Sequence, residues 1–129
     1  MVSKVAAFWD ASGLVPLCVH QSTSIQAHSH LRKFLPVVWW GSTVEVHSAI
    51  LRLHRSGKLK DTEMKGALNR LGVLIQMWKE IVPTDPLRDV ATRLLDVYNL
   101  RAADSLQLAA ALMWCQQRPA SVLNCKFVN

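Results

Sequence analysis

Two rhythms of apolar residues divide this chain. Short unbroken runs rich in Val and aromatics alternate with longer stretches in which apolar residues recur every three or four positions. Residues 4 to 10 form the first run, bounded by Asp10-Ala11-Ser12-Gly13, and predict a buried strand entering a turn with Asp10 at its carboxyl end. Ser12 is placed to cap the next segment, and Pro16 falls early enough in a helix starting there to be tolerated. Residues 22 to 34 predict a helix with Ile25, His28 and Leu31 on one side, stopped by Pro36.

A second strand is expected over residues 37 to 40. After Gly41, the hydroxyls of Ser42 and Thr43 can cap a helix to about residue 55, with Val46, Ala49, Ile50 and Leu53 on its apolar face and Glu45 in its first turn. Ser56-Gly57 breaks that pattern, and a longer helix from about 62 to 79 carries Leu68, Leu71, Leu74, Ile75 and Trp78. Residues 81 to 83 read as a short strand, and Thr84-Asp85 opens a helix with Val90, Leu94 and Val97. A strongly apolar helix follows from about 102 to 117 with Asp104 near its start, then a last strand within 122 to 128. Strands alternating with helices of this length predict an α/β sandwich around a parallel sheet.

Length and composition narrow this to one domain. A chain of 129 residues, half of them hydrophobic and 19% charged, buries a core without metal or disulfide staples. No apolar run approaches the roughly 20 residues that span a bilayer, and the N-terminus has no signal-type segment, so the expected location is cytoplasmic. Cys18, Cys115 and Cys125, odd in number and set among aliphatic residues, predict reduced core thiols. Fifteen Lys and Arg against nine Asp and Glu give a net charge of +6, compatible with a polyanionic partner.

Against that basic background, three carboxylates occupy the most apolar stretches. Asp10 ends the run Val5-Ala6-Ala7-Phe8-Trp9, Glu45 follows Val37-Val38-Trp39-Trp40-Gly41, and Asp104 precedes Leu106-Gln107-Leu108-Ala109. In an open parallel sheet, ligands bind beyond the carboxyl ends of the strands, which is where this reading puts all three. Each has an ordinary alternative as a helix cap or first-turn acid that satisfies free backbone N–H groups. Jointly, carboxylates in a partly apolar crevice repel one another unless a cation compensates them, and an all-oxygen set suits Mg²⁺ or Mn²⁺. Such a cation offsets charge on a scissile phosphate and lowers the pKa of the attacking water, which suits phosphodiester hydrolysis with Lys and Arg holding flanking phosphates.

The remaining residues carry less chemistry. His28 and His30 diverge on a helix, and His47 and His54 share a face without a matching Asp or Cys, so they read as surface or packing residues. Trp9, Trp39, Trp40, Trp78 and Trp114 fall in strands or on helix faces and read as core or interface. There is no nucleophile elbow and no glycine-rich phosphate loop.

Three segments together, Phe8-Trp9-Asp10-Ala11-Ser12-Gly13-Leu14-Val15, Thr43-Val44-Glu45-Val46-His47-Ser48-Ala49-Ile50 and Arg101-Ala102-Ala103-Asp104-Ser105-Leu106-Gln107-Leu108-Ala109, resemble a PIN domain of the VapC toxin type across nearly the whole chain. The resemblance implies a PIN-like three-layer α/β/α sandwich with a short central parallel sheet. It also implies a Mg²⁺- or Mn²⁺-dependent endoribonuclease acting as toxin of a type II toxin-antitoxin system. Its RNA substrate would be of the tRNA or rRNA class, its antitoxin of the VapB type, and its assembly a homodimer.

By the same resemblance Asp10, Glu45 and Asp104 are the metal ligands and catalytic acids, and Ser12 orients the Asp10 carboxylate or a water on the metal. Such domains carry a fourth acid after a Phe-Val segment and then a closing helix and strand. Phe127-Val128-Asn129 matches that opening, so residues 1 to 129 read as a single PIN-like domain lacking the usual C-terminal segment, with Asn124 and Asn129 as neutral oxygens nearby. Two other functions compete: a truncated, catalytically weak or inactive PIN domain that binds antitoxin as decoy or remnant, and a basic α/β module that binds nucleic acid without metal.

Overall fold

Successive residues of a strand face opposite ways, and the first strand, β1 (Val5–Trp9), is buried on both faces. The computed structural model describes residues 4 to 116 and the backbone of residues 127 and 128. Ala7 and Trp9 enter one apolar cluster while Phe8 enters another. The second strand, β2 (Phe34–Trp39), repeats this alternation, with Val38 in the first cluster and Val37 and Trp39 in the second.

Helices cover each face. On the first lie α1 (Ala11–Cys18), α2 (Ser24–Lys33), α3 (Ser42–Arg55) and α4 (Asp61–Met77), contributing Leu14, Ala27, Ile50 and Leu71. On the second, α5 (Asp85–Val97) and α6 (Ala102–Gln116) contribute Leu87, Ala91, Ala110 and Trp114. A third strand, β3 (Lys79–Ile81), pairs with β2, and the two-residue β4 (Phe127–Val128) pairs with β1. All pairings are parallel and the order is β3-β2-β1-β4. This is the PIN-like three-layer α/β/α sandwich expected from the sequence.

Several local expectations change. Pro36 does not end a helix; it sits inside β2, which starts at Phe34, and pairs with Ala7. Its missing N–H is tolerated because β3 begins only opposite Val37, so Pro36 lies where β2 has one partner strand. Ile25 is 82% exposed, and the face that α2 buries carries Ser24 and Ala27 instead. Ser24 Oγ is 2.8 Å from the Pro16 carbonyl and accepts from the Gln21 N–H, tying α2 to α1.

Caps shift as well. Asp10, not Ser12, caps α1, and Gly41 rather than Ser42 or Thr43 precedes α3 without a side-chain cap. Gly41 is required for another reason: a Cβ there would lie 2.5 Å from Trp39 Nε1, so the indole occupies that space. Thr84 caps α5 as expected, accepting from the Leu87 N–H at 3.2 Å. The predicted third strand is displaced to Lys79–Ile81, and Val97 on α5 is exposed rather than packed.

Four tryptophans, Trp9, Trp39, Trp78 and Trp114, are buried as expected; Trp40 is exposed, edge-on to Trp39. Cys18 is free and buried, and burial pushes its thiol up to about 11 with only partial opposition from Arg70, which keeps it protonated at neutral pH. Cys115, by contrast, is in a disulfide, so the reduced-thiol expectation does not extend to it. Cys125, Asn124 and Asn129 lie outside the described residues.

Candidate metal centre

Three different elements deliver the three acids. Asp10 is the residue after β1 and the N-cap of α1, Glu45 is in the first turn of α3 just beyond the end of β2, and Asp104 is in the first turn of α6. All three line one cleft of about 610 Å³, together with Ser12, Gln21 and Arg52. The cleft therefore sits at the carboxyl end of the sheet, as the topology of parallel sheets favours. Asp10 and Glu45 are half-buried and Asp104 is exposed.

Neighbouring side chains hold the first two in place. Ser12 Oγ donates to Asp10 Oδ2 at 2.5 Å, and the Ser12 N–H points at the same oxygen at 3.4 Å. Gln107, 3% exposed, reaches across from α6: its Nε2 donates to Ser42 Oγ at 2.9 Å and to Glu45 Oε1 at 3.1 Å. Its Oε1 is buried with no hydrogen-bond partner, a cost the fold accepts to keep the amide at this position.

The electrostatics are unbalanced. Burial raises the Glu45 carboxyl above its ordinary value, the Gln107 hydrogen bond opposes this, and the charges of Asp10 and Asp104 raise it further. Among the described residues, ion pairs are confined to His54–Asp61 and Arg88–Asp85, so no side-chain cation pairs with any of the three acids. Arg52 lines the same cleft outside ion-pair range.

The three acids share a cleft without forming a tight cage. Among the described residues no three His, Cys, Asp or Glu side chains are gathered closely enough to hold an ion directly. Mutual repulsion of like charges in a cleft opposes such crowding. The donor set nevertheless fits a hard cation that retains water: Mg²⁺ typically takes one or two carboxylates and keeps several waters. Among the described residues no His or Cys lines the cleft to favour a softer metal.

Sequence reasoning named the three acids and Ser12 but missed Gln107 and the placement of Arg52. Gln107 had a signal: an amide in the most apolar run of the chain, three residues after Asp104 and hence on the same helical face. Of the histidines, His54 Nε2 lies 2.6 Å from Asp61 Oδ1 and links the end of α3 to the start of α4. No helix among the described residues is long and apolar enough to cross a membrane.

No family model and no curated protein matches the sequence. Among solved structures, a chain in a toxin-antitoxin complex from Klebsiella pneumoniae has a similar fold, with TM-score 0.55 and 16% identity, over 84% of this chain and 79% of that one. At this identity the likeness is one of fold.

Proposed function

We propose that this protein is the toxin of a type II toxin-antitoxin system, a VapC-type PIN domain that hydrolyses RNA phosphodiester bonds with Mg²⁺ or Mn²⁺. The observation that carries this reading is the convergence of Asp10, Glu45 and Asp104 on one cleft where, among the described residues, no side-chain cation pairs with them. The fold it shares with a chain of a toxin-antitoxin complex supports a toxin-antitoxin role, and the assignment of the antitoxin to the VapB type rests on the sequence motifs.

In this reading Asp10, Glu45 and Asp104 hold the ion. Ser12 fixes the rotamer of Asp10, and Gln107 fixes that of Glu45. Bound there, a divalent ion supplies charge neutralisation for the phosphodiester and a lower pKa for the attacking water. Arg52, on the wall of the same cleft, binds the phosphate of the incoming strand. No covalent nucleophile is required, and Cys18, buried and protonated, is unsuited to be one.

A second reading is favoured by one observation, the looseness of the carboxylate cluster. It holds that the domain binds antitoxin with little turnover. Cleavage of a mixed tRNA and rRNA pool by the purified protein separates the two. The nuclease reading expects fragments in Mn²⁺, none in EDTA, and recovery when Mn²⁺ is restored. Intact RNA under all three conditions supports the second reading.

A further inference from the structure

We propose that α1 and α2 form one bank of a track that leads a single strand of RNA from the carboxylate cleft to a basic groove bounded by Arg32, Arg70 and Lys58. This inference rests on the nuclease reading of the cleft, and it assigns the surface that holds the substrate away from the scissile bond.

Shared walls define the track. Ser12 lines the carboxylate cleft and also a second hollow of about 250 Å³, whose other walls include Pro16 and His30. Pro16 in turn lines a third hollow of about 490 Å³, bounded by His20, His28, Arg32 and Arg70. His20 and Arg70 also line a fourth, which adds Lys58. Ser12 and Pro16 are one turn apart on α1, so the first three hollows open in sequence along a single helix face.

The charge along this path has one sign over most of its length. Among the described residues no acid lines the second or third hollow, and Glu63 in the fourth accepts from the Lys60 backbone N–H at 2.9 Å as part of the α4 cap. Neither Arg32, Arg70 nor Lys58 takes part in the ion pairs found among the described residues. Arg70 is anchored by donation from its Nε to the Cys18 carbonyl at 2.7 Å, which holds its guanidinium at the boundary between two hollows. An anchored cation beside two exposed ones is a layout for successive phosphates.

The rings along these walls are the imidazoles of His20, His28 and His30, and among the described residues no Phe, Tyr or Trp joins them. Beside them the exposed Ile25 offers apolar contact for sugars and bases between the charges. Binding here is therefore sequence-tolerant and steeply salt-dependent, with sequence choice left to the cleft.

The test uses the whole chain with Arg32→Gln and Lys58→Gln combined, both exposed positions outside the cleft. Fluorescence anisotropy with a short labelled single-stranded RNA, in EDTA across a salt series, reads binding. Hydrolysis of bis(p-nitrophenyl) phosphate in Mn²⁺ reads the cleft separately. The expected result is RNA affinity about tenfold weaker, a salt slope shallower by about 1.4 for two lost phosphate contacts, and unchanged hydrolysis of the small diester. Unchanged affinity and slope overturn the track. So does weakened binding of a poly-glutamate peptide with RNA binding intact, which assigns the groove to an acidic protein segment. Absence of diester hydrolysis in the unaltered protein overturns the nuclease reading alone, and the anisotropy comparison still decides the groove.

Discussion

Asp10→Asn and Asp104→Asn are each expected to reduce Mn²⁺-dependent RNA cleavage by at least about 100-fold, while the protein stays folded. The amide keeps the size of the carboxylate and loses the charge that a hard cation needs. Folding survives for separate reasons at the two sites. Asn is as good a helix cap as Asp, so the bond from the Ser12 N–H to residue 10 persists. Asp104 is exposed, makes no ion pair among the described residues, and gives up only a first-turn helix-dipole contribution. Cleavage rates, with circular dichroism on the same samples, check this. Activity unchanged in both variants contradicts the proposed site.

Glu45→Gln is expected to act in opposite directions on function and stability. Cleavage falls as it does for the two aspartates, because the same ion loses a charged ligand. The metal-free protein, however, becomes more stable at neutral pH. A carboxyl whose value is raised in the folded state contributes stability below its unfolded value and loses it as pH rises through the folded one. Ionising Glu45 here costs desolvation and then repulsion from Asp10 and Asp104, and the neutral amide removes both while its carbonyl still accepts from Gln107. Solvent screening at this half-buried site keeps the gain small, a melting temperature higher by roughly 1–3 °C. The advantage vanishes near pH 4, where both side chains are neutral. Thermal melts in EDTA at the two pH values measure it, and a variant less stable at pH 7 contradicts the electrostatics described for the cleft.

Trading stability for a charged cleft is consistent with the rest of the molecule. Phe8, Ala7, Trp9, Val37 and Val38 are at most 1% exposed, so the sheet that carries the site is packed from both sides. The acids hang from the ends of these rigid elements rather than from long loops. Gln107, the amide that bridges Ser42 and Glu45, links the helices on opposite faces of the sheet beside the cleft that the three acids line.

Much of this was legible from residue order. Unbroken Val and aromatic runs mark strands buried on both faces, and the carboxyl ends of such strands are where a parallel sheet gathers side chains from distant parts of the chain. That suffices to bring Asp10, Glu45 and Asp104 to one cleft. What was not legible depended on partners. Pro36 looks like a helix stop until it is clear that β3 does not extend beside it. Ile25 fits an apolar helix face, yet Ser24 takes the buried position because its hydroxyl has a carbonyl to meet. Ser42 resembles a cap but is buried beneath Gln107, a contact between residues 65 positions apart that no local pattern contains.

The central claim is that these three acids take a single hard cation together. Anomalous difference density at the manganese edge, from crystals grown with Mn²⁺, tests it most directly. The account predicts one strong peak in the cleft among Asp10, Glu45 and Asp104, with ordered waters completing the coordination. A cleft with no peak at saturating Mn²⁺, or a peak held by other residues, contradicts it.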